Sequence, residues 1–330
     1  MNSSNNKREA LTHLELVLRQ VRMEANGINS FEFVDPDGHD LPAFTAGAHI
    51  DVHIAPGLVR QYSLCNSPSE RHRYVVAVLR DEAGRGGSRG MHESKRVPNR
   101  VKVSVPRNNF LLAGDASKVI LLAGGIGVTP LKSMVHQLEA ESKDYELHYC
   151  AKGPEFAAFQ SELENMAKIG KVHCHFDGGD PAKGLNIAQL LQTPQVGTHV
   201  YYCGPGGFME ACKQAAAHWP ADTVHCEHFK APVQKAPAGS SSTAEGYIVE
   251  LAASGQKLTV LPDQNLAEVL LQAGAPVETS CASGLCGTCK VRHLSGEIDH
   301  QDFILDDTER QSFMTPCVSR GCGGTLVLDL

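Results

Sequence analysis

The stretch "SCASGLCGTC", Ser280–Cys289, crowds thiols among small residues in a segment with no apolar run to pack. Cys281, Cys286 and Cys289 stand in the spacing C-x4-C-x2-C, and Cys317 follows downstream. That is the ligand spacing of a plant-type 2Fe–2S cluster, which needs four thiolates converging on two irons. Gly284 and Gly287 give the loop the freedom to bring backbone N–H groups toward the cluster sulfurs. Ala282, Ser283 and Thr288 are small enough to leave the cluster its space. The competing readings are a zinc site and four unrelated thiols. Structural zinc generally uses paired C-x2-C knuckles, and only one such pair occurs here. Cys281, Cys286, Cys289 and Cys317 are therefore the expected metal ligands, and Cys322 is read as packing.

Upstream of the cysteines, "YIVELAASGQKLTVLP" has a two-strand pattern around Ser254-Gly255, and "NLAEVLLQAG" reads as a short amphipathic helix. Before these lies "KAPVQKAPAGSSSTAEG", rich in Pro, Ala, Ser and Gly, which reads as an interdomain linker.

The region before the linker alternates strand and helix. "SKVILLAGG", "YELHYCAK", "KVHCHFD" and "THVYYCGP" are strand-like, with helical patterns in "TPLKSMVHQLEAES", "EFAAFQSELENMAKI", "NIAQLLQ" and "GFMEACKQAAAHW". Such alternation predicts a parallel sheet covered on both faces. "LLAGGIGVTP", Leu121–Pro130, joins an apolar strand to a helix through Gly124, Gly125 and Gly127. Thr129 is read as the helix cap and Pro130 as suited to its first turn, which presents the helix N-terminus to a pyrophosphate. Pro130 stands where a dinucleotide fingerprint has its third glycine, so the loop alone also fits an ordinary strand–helix turn. "YYCGPGGFM", Tyr201–Met209, supplies a second glycine-rich loop at the edge of the sheet where ligands bind.

The first region is rich in short β-branched runs: "LELVLRQVRMEA", "NSFEFVDP", "AHIDVHI", "RYVVAVLRD" and "NRVKVSVP". They predict an antiparallel barrel or sandwich. "RQYSLCN", Arg60–Asn66, leaves one strand with a cation, a phenol and a hydroxyl, and "GRGGS", Gly84–Ser88, offers amides and a hydroxyl to a phosphate.

The whole chain sets bounds. It has 330 residues, 42% hydrophobic, enough for two or three domains with real cores. A net charge of −7 opposes nucleic-acid binding, which needs a basic face. No apolar stretch is long enough for a transmembrane helix, and the polar start "MNSSNNKREALTHLE" lacks a signal-peptide core, so a cytoplasmic location is expected. The 11 cysteines are then reduced thiols, with Cys65, Cys150 and Cys212 read as small core residues.

Taken in order, R-x-Y-S at Arg60, Tyr62 and Ser63, G-R-G-G-S at Gly84–Ser88, G-G-I-G-V-T-P, C-G-P at Cys203–Pro205 and the cysteine set resemble the ferredoxin–NADP reductase superfamily. Within it they resemble the phthalate dioxygenase reductase family, which includes vanillate O-demethylase reductases, over roughly residues 10 to 330. The resemblance implies a multidomain β + α/β + α+β fold. A tail, 1–9, precedes an FMN-binding antiparallel β-barrel, 10–110. An NAD-binding α/β domain, 111–230, a linker, 231–244, and a 2Fe–2S ferredoxin domain of β-grasp type, 245–330, complete the order.

The resemblance also implies roles. Arg60 and the Gly86-Gly87-Ser88 turn hold the FMN phosphate, Tyr62 packs near the isoalloxazine, and Ser63 bonds near its N5. The backbone of Val76, Ala77 and Val78 lines the ring. Gly124, Gly125, Gly127 and Thr129 meet the nicotinamide nucleotide, and Cys203, Gly204 and Pro205 shape the loop at the nicotinamide. Glu227 and Phe229, in "EHF", lie beside the flavin, although Phe229 also fits simple packing at a domain edge. NADH gives two electrons as hydride and a 2Fe–2S cluster takes one, so a flavin must sit between them.

The implied protein is a monomeric NADH-dependent reductase passing electrons to a Rieske-type oxygenase acting on an aromatic acid or methoxylated aromatic. The competing class is a self-contained oxidoreductase acting on a small molecule. The sequence shows no two-His-one-carboxylate iron site for it. His173 and His175 in "HCHF", and His225 and His228 around Glu227, are read as surface or structural residues. For the nucleotide, "AKGPE" offers Glu155 to a free ribose hydroxyl and Lys152 to a 2′-phosphate; NADH is the expectation.

Overall fold

The computed structural model describes residues 12–230 and 246–330. The expected tail, 1–9, and linker, 231–244, lie outside the described residues. The chain divides into two compact units, Met1–Glu227 and His228–Leu330.

The first unit contains both of the leading regions. Its antiparallel sheet comprises β1 (His13–Ala25), β2 (Ile28–Val34), β3 (His49–Ala55), β4 (Leu58–Ser63), β5 (Tyr74–Leu79) and β6 (Arg100–Ser104), in the order β4-β3-β6-β1-β2-β5. A bridge between Leu64 and Val76 joins the two outer edges and closes the barrel. Alternation fixes the inside: Leu16 and Leu18 of β1 are buried between exposed Glu15 and Arg19. They pack with Phe31, Phe33, Ile50, Val76 and Val78. The helix α1 (Gly87–Ser94) follows the glycine loop after β5 and buries Met91.

The parallel sheet has β7 (Lys118–Gly124), β8 (Asp144–Ala151), β9 (Lys171–Phe176), β10 (Thr198–Cys203) and β11 (Val224–Glu227), in the order β11-β10-β7-β8-β9. The central strand is a continuous apolar run because both of its faces are covered. Val119 and Leu121 join a core that includes Leu131 and Met134 of α2 (Val128–Ala140). Ile120 and Leu122 face the other way, toward Met209 of α5 (Gly206–Ala215) and Trp219. Between them lie α3 (Gln160–Met166) and α4 (Ile187–Leu190).

Two local expectations are corrected. The helix in "EFAAFQSELENMAKI" is only α3. Ala157, Ala158 and Phe159 are buried in the core, Phe159 takes φ 63°, and Glu155 O accepts from Asn26 N of the barrel. The chain therefore turns before it can wind. Thr129 is not the cap of α2; Gly127 is, without a side-chain bond, and Thr129 Oγ1 donates to Ile126 O from within the first turn.

The second unit has a five-stranded mixed sheet built on β12 (Tyr247–Leu251), β13 (Lys257–Val260), β14 (Val291–Ser295), β16 (Phe313–Met314) and β18 (Thr325–Leu328). The short pair β15 (Ile298–Asp299) and β17 (Arg320–Gly321) stands beside it. Its helix α6 (Leu266–Gln272) buries Leu266, Ala267 and Leu270 into a core that reaches Cys289 and Cys317. Cys322 is exposed, not packed, while Cys65 and Cys212 are buried as expected and Cys150 is half-buried.

Candidate functional site

The carboxyl ends of three parallel strands bring the nucleotide motifs together. Cys203 of β10 pairs with Ala123 of β7 on one side and with Glu227 of β11 on the other. The two glycine loops touch: a Cβ on Gly127 would lie 2.1 Å from Cys203 O. Only glycine permits that approach, which explains the residue better than turn geometry does. Both α2 and α5 begin at this edge with no acidic residue in the first turn, an arrangement that fits an anion such as pyrophosphate.

The barrel reaches the same edge through the end of β4. Ser63 pairs across the sheet with His49 of β3. The next residues are clamped by α2: Lys132 Nζ donates to Cys65 O at 3.0 Å, and Ser133 Oγ donates to Asn66 O at 3.0 Å. This seats Ser63 so that its Oγ donates to Glu227 Oε2 at 3.2 Å. The Glu227 side chain is 10% exposed, and burial pushes its carboxyl up to about 8, against a smaller lowering by the Ser63 hydrogen bond. Burial likewise pushes the Cys203 thiol well up, with Glu227 adding to it. Cys203 is thus a neutral, fully buried group and no nucleophile at ordinary pH.

His49 was not singled out from the sequence. Its ring is fully buried, its Nδ1 lies 3.9 Å from Glu227 Oε1, and neither ring nitrogen has a hydrogen-bond partner among the described residues. Burial and then Arg107 push its pKa down to about 4, so the imidazole is neutral. A lone strand histidine carries no sequence signal for this; the only hint is its place opposite Ser63.

Arg60 and the glycine loop also meet. A Cβ on Gly87 would lie 2.5 Å from Arg60 Cγ, and Arg60 donates to Arg85 O at 3.1 Å. Ser88 Oγ accepts from Asp81 N at 3.0 Å, which braces the loop. A guanidinium beside the amides that open α1 is a donor set suited to a phosphate. Tyr62 is half-buried on the same strand. Val76 and Val78 point into the barrel core, and Ala77 points into the core shared with the parallel sheet.

In the second unit the four cysteines converge. Cys281 and Cys286 interact directly, as do Cys289 and Cys317. Hydrogen bonds within the pairs hold Cys286 and Cys317 low and push Cys281 and Cys289 up. Leu285 N donates to Cys281 Sγ at 3.4 Å, and backbone groups of Gly284 and Ser283 bond to Cys317. Gly284 and Gly287 take φ 69° and 72°, as the loop requires. Four buried sulfurs with amide donors aimed at them fit a 2Fe–2S cluster. Asn265, missed in the sequence, caps α6 by accepting from Ala267 N and also donates to Cys317 O at 2.7 Å. Its position before the apolar run of α6 was the signal for the cap; the tie to Cys317 had none. Phe229 belongs to this second unit and is 39% exposed.

Comparison with known proteins matches residues 249–322 to the 2Fe-2S iron-sulfur cluster binding domain and 121–214 to the oxidoreductase NAD-binding domain. The phthalate dioxygenase reductase of Burkholderia cepacia is 41% identical over 318 residues, covering 96% of this chain and 97% of that protein. A solved phthalate dioxygenase reductase, described as a modular structure for electron transfer from pyridine nucleotides to [2Fe-2S], is 40% identical. It matches with a TM-score of 0.73, covering 96% of this chain and 98% of that one. The chain belongs to the phthalate dioxygenase reductase family.

Another relative is the reductase subunit of tert-butanol monooxygenase / tert-amyl alcohol desaturase from Aquincola tertiaricarbonis. It is 54% identical over 97% of this chain and 96% of that protein. An intact type IV self-sufficient cytochrome P450 monooxygenase matches with a TM-score of 0.84 and 36% identity. This chain covers only 41% of its length. As a phthalate dioxygenase reductase family member, the protein is an oxidoreductase, the electron-transfer component of an oxygenase system, with an NAD-binding domain and a 2Fe–2S cluster binding domain. No helix among the described residues is long and apolar enough to cross a membrane.

Proposed function

We propose that this protein is the NADH-dependent reductase of a Rieske-type oxygenase, working as a cytoplasmic monomer. The observation that carries the reading is the meeting of Ser63, Cys203 and Glu227 at one sheet edge, in a chain that also holds a four-cysteine nest. Bound FMN would supply the conversion of a two-electron hydride into single electrons, and the 2Fe–2S cluster that would accept them would be held by Cys281, Cys286, Cys289 and Cys317. The chain's own work is to orient and to hold protons. Arg60 and the amides of Gly86, Gly87 and Ser88 bind the phosphate, with Tyr62 and the backbone of Val76–Val78 along the ring. Ser63 Oγ sits beside the reacting edge, and Glu227 holds a proton behind it at ordinary pH. Gly124, Gly125, Gly127 and Thr129 shape the nucleotide loop, and Cys203, Gly204 and Pro205 back the nicotinamide. Phe229, at the start of the second unit, is the aromatic assigned to the electron path.

The functional division is a barrel at 10–110, a nucleotide domain at 111–230, a linker at 231–244 and a ferredoxin domain at 245–330. Glu155, in the turn after β8, favours NADH by offering a carboxylate to the ribose hydroxyls. The oxygenase's substrate is a small molecule, an aromatic acid or methoxylated aromatic being the first to try. Relatives named for vanillate and phthalate support that choice, and the tert-butanol relative widens it.

Anaerobic NADH should bleach the flavin and then reduce the cluster. Cys286→Ser should lose the cluster and oxygenase support, yet still reduce ferricyanide with NADH. If cluster-free Cys286→Ser drives a Rieske-type partner at the normal rate, the proposed path is wrong.

A further inference from the structure

The parallel sheet carries a second group of polar side chains, on the face away from Cys203 and Glu227. Strand register sets this. Cys203 and Glu227 share a face with Ala123 and Tyr149, whereas His148, one residue earlier on β8, points the other way. Glu146 is two residues before His148 and so shares its face, and His173 pairs with His148 across β8 and β9. One potential ligand atom from each of the three lies within 4.8 Å of the others. Two histidines and a carboxylate come together here only through the register of β8 with β9, which no local spacing encodes.

The surroundings of each group are those of a ligand. The His148 side chain is 8% exposed, and its Nε2 has no hydrogen-bond partner among the described residues; Glu146 Oε2 lies 3.6 Å away. Its other nitrogen, Nδ1, is 3.1 Å from His175 Nε2. With the proton on Nδ1 and donated to His175, Nε2 keeps its lone pair, with Glu146 Oε2 3.6 Å away. An imidazole whose far nitrogen is held by a partner is the usual arrangement of a metal-bound histidine. Glu146 is held in the same manner: its Oε1 accepts from Lys118 Nζ at 2.7 Å, which leaves Oε2 toward the histidines. A tetrahedral ion with bonds of about 2.1 Å separates its ligands by about 3.4 Å. The His148–Glu146 pair is already near that spacing, and exposed His173, stacked on His148 with ring centroids 4.9 Å apart, closes the rest by rotating its side chain.

We propose that Glu146, His148 and His173 bind a divalent transition ion of the zinc class, with His175 and Lys118 orienting the ligands. Two imidazoles with one carboxylate favour such an ion over Mg²⁺ or Ca²⁺, which prefer all-oxygen sites. β9 is the edge strand of the sheet and none of its residues is buried, so the ion pins it to β8. The site lies off the face that carries Cys203 and Glu227.

The test is equilibrium dialysis of the full chain, loaded with FMN and cluster, against micromolar Zn²⁺. Zinc held elsewhere, at cysteines or other histidines, is common to all variants and cancels between them. Wild type should bind one more Zn²⁺ than His173→Gln, an exposed change that leaves the fold intact. His175→Gln should weaken that extra site about tenfold. Zn²⁺ should raise the Tm of wild type more than that of His173→Gln, and Mg²⁺ should produce no such difference. Equal zinc uptake by wild type and His173→Gln, no uptake by either, or an equal response to Mg²⁺ overturns the proposal.

Discussion

Ser63 Oγ donates to Glu227 Oε2 at 3.2 Å, joining residues 164 positions apart. Each arrives by its own constraint. Ser63 is the last residue of β4 and is held by the clamp of α2 on Cys65 and Asn66. Glu227 is the last residue of β11, in register with Cys203. The hydrogen bond is a contact between the barrel and the nucleotide sheet, and it places a neutral acid where the two meet.

The raised Glu227 pKa makes stability depend on pH. The carboxyl is pushed to about 8 from an ordinary value of 4.5. Between these values the folded protein keeps a proton that the unfolded chain has released, so its stabilisation is full at the low end and lost as pH rises through about 8. Neutral His49 supplies no opposing charge. Glu227→Gln cannot ionise, so its Tm relative to wild type should climb by several degrees from pH 5 to pH 9. A difference that stays flat over that range contradicts the raised pKa.

Ser63→Ala removes the donor to Glu227 at the proposed reacting edge without disturbing phosphate or cluster contacts. Stopped-flow mixing with NADH should show flavin reduction slowed about tenfold or more, with FMN and iron content unchanged. An unchanged rate would remove Ser63 from the reaction.

Gly127→Ala drives a methyl into the Cys203 carbonyl, 2.1 Å from the new carbon. Backbone cannot rotate away as a side chain can, so the two nucleotide loops must separate. The expected cost is about 1–3 kcal/mol of stability, with a rise in KM for NADH of about tenfold or more. A variant with wild-type Tm and KM would mean that the loops are looser than their contact implies.

Asn265→Ala takes away the cap of α6 and the hydrogen bond to Cys317 O together. Cap loss alone costs about 1 kcal/mol. The distinguishing readout is cluster loss under a chelator, followed by visible absorbance, which should be faster in the variant. Asn265→Asp, which can cap but cannot donate to Cys317 O, should restore the helix and not the cluster lifetime. Equal cluster lifetimes in all three proteins would confine Asn265 to capping.

Much of the molecule was legible in the chain because it is encoded locally. Cysteine spacing, two glycine loops and an apolar run flanked by helices each declare their chemistry within a dozen residues or so, since tight turns and metal ligation restrict residue type directly. What failed was also local. α3 starts late because packing of Ala157, Ala158 and Phe159 overrides helix propensity, and Cys322 is exposed where a buried thiol was expected. Tertiary structure alone decided which distant groups share a site. His49 comes to Glu227 only because β3 pairs with β4, and Asn265 comes to Cys317 only through the packing of α6. Glu146, His148 and His173 converge only in the observed register of β8 with β9; a slip of one residue would send His173 to the opposite face. Periodicity fixes which side of a strand a residue occupies, but the neighbour it meets there depends on long-range pairing that no short stretch contains.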